Sequence, residues 1–483
     1  MLIILAESLP AQLTFERTYG GVQADWGRSV LQTPDGGYVI AGCTESSGAG
    51  GFDVHLIKID SLGDMLWEKT YGGSSDDLGY SVRQTTDGGY IVVGETQSFG
   101  AGWEDVYLVK TDAFGDTLWQ KTCGGASHDM GYSVEQTLDG GYIVVGASRS
   151  FAAGWYSVYL VKTDSLGDIL WQTTSGGIDG DYGYSVHRTP DGEYVIGGET
   201  ESFSVGLSDF WLIKTDFLGG VVWDTTYGGA ADDHGYSLQP TLDGGYVFVG
   251  QSYSFGADAD VYVIRTDSSG NVLWDTTYGS SSFDVGYSVQ QTSDGGYVIA
   301  GRRESLGAGG DVYLIKTDSS GDVLWERTFG GSSDDVGYSV QQTLDGGYVI
   351  AGHTESFGAG GGDIYLIKTD ENGVVGLEEK TSRFNVEGSR IELLQNQPNP
   401  LHTSTEIHFS LGVVGSVTLE IYNASGRLVR RLVDNETPSN FEFPNSIFWD
   451  GRDQTGREVV SGVYFCRLEA GDSGDTKKMI LVR

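Results

Sequence analysis

The chain runs to 483 residues, with 75 glycines, 67 acidic against 29 basic side chains and a formal charge of −38. Such a surplus of carboxylates excludes unaided binding to nucleic acid or to an anionic membrane surface and favours cations or basic partners. No stretch approaches the roughly 18 apolar residues of a membrane span, and the three cysteines, Cys43, Cys123 and Cys466, form neither a disulfide framework nor a zinc-binding spacing.

Residues 1–12, Met-Leu-Ile-Ile-Leu-Ala-Glu-Ser-Leu-Pro-Ala-Gln, read as the tail of a secretory signal peptide with cleavage after Ala11, although the positively charged start is absent. The next stretch, Leu-Thr-Phe-Glu-Arg-Thr at 13–18, copies the strand that begins at Leu66 but has no three strands before it. From there to 376 one unit is repeated seven times. Its turn aspartate falls at Asp35, Asp87, Asp139, Asp191, Asp243, Asp294 and Asp345, a period of 52 residues four times and then 51 twice. With turn signals about every ten residues, that period is the mark of a β-propeller or another repeat array.

Within the second unit, 79–85 and 90–96 flank an Asp-Gly-Gly turn whose glycines supply positive φ, and 105–112 and 117–122 flank a second short turn. Four strands per unit without helical periodicity make the array all-β. The fourth strand carries Trp67, Trp119, Trp171, Trp223, Trp274 and Trp325, and the seventh unit lacks that strand. The spare strand at 13–18 therefore completes a seven-bladed propeller of four-stranded blades over 13–376, leaving no free edge.

The segment Thr317-Asp-Ser-Ser-Gly-Asp-Val-Leu-Trp325 resembles the tryptophan-docking turn of quinoprotein-type propellers, with its glycine one residue early, and more faintly the Asp-box of sialidases. Both resemblances imply geometry, a Trp packed flat between neighbouring blades, rather than quinone or sugar chemistry.

Residues 377–391 read as a polar linker, and 392–483, with alternating strands broken by Gly turns, as a small Ig-like β-sandwich. That last segment holds 12 acidic and 9 basic residues, so nearly all the negative charge belongs to the propeller. Its motifs Gln395-Asn-Gln-Pro-Asn-Pro-Leu401, Trp449-Asp-Gly-Arg-Asp-Gln-Thr-Gly and Lys477-Lys-Met-Ile-Leu-Val-Arg closely resemble the type A C-terminal sorting domain of type IX secretion, and the related domain of flagellar hook-capping proteins. They depart at Leu401, where Phe is usual, and at Arg483, where Lys is common. The resemblance implies a bacterial protein, secreted or held at the cell surface, whose 392–483 segment engages the outer-membrane secretion machinery.

On the propeller, the loops after the second and fourth strands share one face. They gather Asp76, Asp77, Asp232, Asp233, Asp334 and Asp335, whose carboxylates beside glycine-rich backbone suit Ca²⁺; an Asp before Gly-Tyr equally makes a turn. Columns that vary between repeats are better functional candidates than columns that do not. One reads Cys43, Glu95, Ala147, Glu199, Gln251, Arg302 and His353; the others supply Arg149 and Tyr253, and Trp26, Tyr182 and His234. Trp26, Tyr182, His234, Arg149, Tyr253, Arg302 and His353 are expected to line a shallow ligand pocket. No nucleophile elbow, phosphate loop or metal-binding His pair occurs, so no catalytic residue and no cofactor beyond Ca²⁺ is assigned. The expected function is binding or adhesion to an extracellular protein, glycan or cation. The alternatives are an extracellular carbohydrate-active hydrolase or lyase and a structural surface-layer component.

Overall fold

The computed structural model describes residues 13–256, 258–304, 309–375, 391–393, 399, 401, 403–411, 417–423, 427–436, 446–470 and 473–483. The expected leader at 1–12, with Ala11, and 377–390 of the expected linker lie outside them. The chain divides into two compact units, Met1–Glu378 and Glu379–Arg483.

The first unit consists of seven four-stranded antiparallel sheets, the blades of a propeller. In blade two the strands are Asp77–Gln84, Tyr90–Thr96, Asp105–Thr111 and Thr117–Cys123, hydrogen-bonded in chain order. The seventh blade takes three strands from the end of the array and its outermost from the beginning: Phe15–Tyr19 pairs antiparallel with Asp363–Thr369, Phe15 opposite Lys368 and Tyr19 opposite Ile364.

The two middle strands of each blade are buried almost throughout, because each sheet is covered by a neighbour on both faces; hence their near-continuous Val, Ile and Tyr runs. The core is a series of inter-blade layers. Val39 and Leu56 of blade one, for example, pack in one cluster with Val82, Val92 and Tyr107 of blade two.

Two polar devices explain the motifs that recur. Lys110 Nζ is buried and donates to both oxygens of Asp87, at 3.1 and 2.9 Å, and to the Thr111 carbonyl, tying the third strand to the Asp-Gly-Gly turn. Lys58, Lys162, Lys316 and Lys368 pair with Asp35, Asp139, Asp294 and Asp345 in the same way, and Arg265 with Asp243. The second device joins blades. At six of the seven Asp-x-x-Gly turns the glycine lies under the fourth-strand Trp of the preceding blade: a Cβ on Gly115 would meet Trp67 Cζ3 at 2.7 Å, and one on Gly167 would meet Trp119 at the same distance. Tyr71 adds a hydrogen bond from its hydroxyl to the Gly115 carbonyl at 2.6 Å. At the ring closure Phe15 takes the Trp position against Gly63, and Tyr19 donates to the Gly63 carbonyl at 2.7 Å.

The second unit holds a three-stranded sheet, Ile391–Leu393, Thr405–Leu411 and Ser446–Trp449, and a four-stranded one, Leu428–Glu436, Val417–Asn423, Gly462–Ala470 and Ser473–Leu481. Trp449, Leu419, Leu468, Met479 and Leu401 are all buried in one core, so Leu401 fills the place where the resemblance has Phe. Asn399 accepts from the Ile480 N–H at 2.8 Å, and Trp449 Nε1 donates to the Arg452 carbonyl at 3.0 Å.

Candidate functional site

The innermost strand of six blades contains Gly-Tyr-Ser and that of blade one Gly-Arg-Ser, and in every blade the register slips between Gly and Ser, leaving the residue between them unpaired. Such a bulge re-aims the side chain of the extra residue. Six of these residues are tyrosines, and their rings meet in sequence around the channel: Tyr80 to Tyr132 at 5.3 Å, Tyr132 to Tyr184 at 5.1 Å, Tyr184 to Tyr236 at 5.7 Å, Tyr236 to Tyr287 at 5.4 Å and Tyr287 to Tyr338 at 5.2 Å between centroids. The seventh position is Arg28, whose guanidinium lies 4.1 Å from the Tyr338 centroid and 5.1 Å from Trp26. The ring divides the channel into an upper mouth, toward the acidic loops, and a lower vestibule.

Two carboxyl groups stand on this tyrosine floor. Glu199 is 8 % exposed; it accepts from the Tyr184 hydroxyl at 3.1 Å and is bonded to His234 Nδ1 at 2.7 Å. Burial disfavours protonated His234, but the Glu199 contact outweighs it and holds the imidazole above its ordinary range. Glu95, 9 % exposed, is pushed up to about 7, first by burial and then by the nearby Glu104, against the hydrogen bond from Tyr80. Glu104 itself contacts His128, which stacks beneath Trp103 at 5.9 Å.

Aromatic side chains rise around these groups. Tyr182 stacks nearly parallel on Tyr184 at 6.1 Å and touches Tyr156 at 5.2 Å. Trp103 and Trp155 are 73 % and 60 % exposed, and Arg149 lies 4.9 Å over the Trp155 ring.

The expected ligand residues thus fall into groups. Trp26 and His353 meet at 6.0 Å beside Arg28 and Tyr338, and burial with the Arg28 charge pushes His353 down to about 4. Tyr182 and His234 flank Glu199 and Tyr184. Arg302 is tied to Asp334 at 2.6 Å. Arg149 and Tyr253 stand on the rim, Tyr253 against Phe283 at 6.3 Å.

The six Ca²⁺ candidates hold the loops. Asp77 accepts from the Gly73 N–H and the Ser98 hydroxyl, both at 2.7 Å; Asp233 does so from Gly229 and Ser254, and Asp335 from Gly331 and Ser356. Asp76 accepts from the Phe52 N–H and Asp334 from that of Gly310, while the Asp232 carbonyl accepts from Tyr253. This turn chemistry accounts for their repetition. Among the described residues, no group of three or more His, Cys, Asp or Glu side chains is disposed to hold a metal ion.

Comparison with known proteins bears on the second unit first. Residues 397–482 match the family described as the secretion system C-terminal sorting domain. The chain is a cargo of type IX secretion. Its place is the cell surface or the extracellular space, and its sorting domain engages the secretion machinery. The cargo is also similar to the regulatory protein FlaEY of Caulobacter vibrioides, 24 % identical over 370 residues; these cover 68 % of this chain but 37 % of that relative. Among solved structures it is similar to PorZ, an essential surface component of the type IX secretion system of Porphyromonas gingivalis, at 12 % identity and a TM-score of 0.40, covering 93 % of this chain and 59 % of PorZ. It is also similar to a fungal alcohol oxidase at 11 % identity and a TM-score of 0.44, covering 97 % and 98 % of the two chains.

Proposed function

We propose that this cargo is an extracellular or surface-held binding protein whose propeller takes a saccharide at the upper mouth of its channel. The observation that carries the reading is the tyrosine floor bearing Glu95 and Glu199 below exposed Trp103 and Trp155. Aromatic faces receive the C–H faces of sugar rings, and the buried carboxyl groups accept hydroxyl hydrogen bonds with their geometry fixed in advance. The dense negative charge of the propeller favours neutral or basic ligands over acidic ones. A glycan-array screen of the full chain tests this: retention of a glycan class that falls at least about tenfold in the Trp103→Ala, Trp155→Ala double variant is expected. No retained glycan, or retention indifferent to both substitutions, would overturn it.

One observation favours catalysis as a second reading. Glu95 is held near 7 while Glu199 is bonded to His234, so two carboxyl groups in unlike environments share one mouth, as an acid and base pair requires. Release of reducing ends from the retained glycan, abolished by Glu95→Gln and by Glu199→Gln, would replace binding with hydrolysis.

A further inference from the structure

Below the tyrosine ring the channel opens into a cavity of about 290 Å³, walled by the innermost strands. That is several times the roughly 30 Å³ of one water molecule, so a small solute fits. Its polar side chains, from Gln, Ser, Arg and His, are set among Val30, Leu31, Leu238, Val289 and Val340, and hydrogen bonds between neighbouring strands fix how several of them are turned.

The carboxamide oxygens of Gln239 and Gln341 accept from the backbone N–H of Gln291 and Gln32, at 2.8 and 2.7 Å, and Gln290 accepts likewise from Gln342. A backbone N–H can bond only the oxygen end of an amide, so the orientation of all three is fixed. Their NH₂ groups are thereby left at the lumen, bonded to no protein group. The same holds one layer up. The hydroxyl oxygens of Ser237, Ser288 and Ser339 accept from the N–H of Val289, Val340 and Val30, at 3.3, 3.2 and 3.2 Å, leaving the hydroxyl protons free for a ligand.

Among the described residues, the one cation of this wall is Arg83. It donates to its own neighbour, the Val82 carbonyl, at 3.0 Å, and among the described residues no ion pair joins it to a carboxylate. Glu135 acts on it only through space; the Glu135 carboxylate is turned to the Arg188 N–H, at 2.6 Å. His187 completes the wall and stays neutral at physiological pH, since burial and Arg83 push it down to about 4. A half-buried guanidinium without an ion-paired carboxylate, facing amide and hydroxyl donors while Glu135 is engaged by the Arg188 N–H, suits an oxyanion. The −38 charge of the chain does not forbid this. Most of that charge is on the surface, where salt screens it over about 8 to 10 Å.

We propose that the lower vestibule is a binding site for a small oxyanion, held by Arg83 and the amide groups of Gln239, Gln290 and Gln341. This site is separate from the upper mouth and stands whether or not that mouth binds a saccharide.

The test is calorimetric titration of the full chain with inorganic phosphate and, separately, with acetate, so that a tetrahedral and a planar oxyanion are distinguished. Saturable binding of one anion per chain is expected, weakened at least about tenfold in Arg83→Gln and less in Arg83→Lys. No saturable binding of either anion, or binding indifferent to Arg83→Gln, overturns the proposal. Should Arg83→Gln fail to fold, a selenate-soaked crystal of the unsubstituted chain decides: an anomalous selenium peak in the vestibule beside Arg83 supports the site, and an empty vestibule refutes it.

Discussion

The packing of each fourth-strand Trp on the turn glycine of the next blade can be weighed by comparing two alanine substitutions. Gly115 has φ of 78°, and a Cβ there would meet Trp67 Cζ3 at 2.7 Å; Gly88 has φ of 84°, and a Cβ there would meet nothing within 4 Å. Both substitutions force an L-residue into the left-handed region, at about 1 kcal/mol. Only Gly115→Ala must also lift the indole, which loses part of a contact whose full truncation costs roughly 3 to 5 kcal/mol. The expected totals are about 1 kcal/mol for Gly88→Ala and about 3 for Gly115→Ala. For a unit spanning Met1–Glu378, unfolding entropy is about 0.8 kcal/mol per kelvin. Calorimetry should therefore place the midpoints about 1 °C and about 4 °C below the unsubstituted chain. Equal shifts would show that the Trp does not bear on the turn and that blades are joined by their apolar layers alone.

Two pH dependences follow from the carboxyl groups. Because Glu95 is raised from near 4.5 to about 7, the folded state holds an extra proton between those values, and stability falls as pH rises through that window, by roughly 3 kcal/mol. Glu95→Gln should remove the slope and melt higher than the unsubstituted chain at pH 8, while a slope that survives the substitution would place its origin elsewhere. For Asp87, Asp139 and Asp294, burial pushes the carboxyls up, but hydrogen bonds from Thr85, Thr137 and Thr292 and from the paired lysines outweigh it and hold them at about 2. Their contribution is complete above the ordinary Asp range and is lost as pH falls toward 2, so the thermal midpoint should drop below pH 4, and by less in Asp87→Asn; an equal drop would refute the assignment.

The architecture was legible because its constraints repeat. A 52-residue period, glycine turns and one strand too many at one end against one too few at the other determine a closed ring, and the pairing of Phe15–Tyr19 with Asp363–Thr369 is that closure. The site was legible only in part, because variation between repeats was taken as the sign of function. That criterion selected Trp26, Tyr182, His234 and His353, which lie beside the tyrosine ring, and it displayed Glu95 and Glu199 without selecting them. It passed over the tyrosines, since a residue repeated six times looks like scaffold; the bulge that turns them into the channel is a pairing irregularity with no separate sequence mark. The same criterion applied to the position two after the Ser of that strand, Leu31, Arg83, Glu135, His187, Gln239, Gln290 and Gln341, would have pointed to the lower cavity.

The two kinds of position act together. A ring of like residues cannot orient an asymmetric ligand, because every blade offers it the same group. The tyrosine floor acquires direction from the column behind it, where Tyr80 and Tyr184 find Glu95 and Glu199, Tyr132 turns its hydroxyl onto the Met130 sulfur at 3.1 Å, and Tyr338 lies beside His353. Six identical hydroxyls thus become inequivalent donors, two of them committed to carboxyl groups on blades two and four. A saccharide taken at that mouth, as proposed above, would be set in register by that pair, with the repeated residues supplying area and the two departures from the repeat supplying orientation.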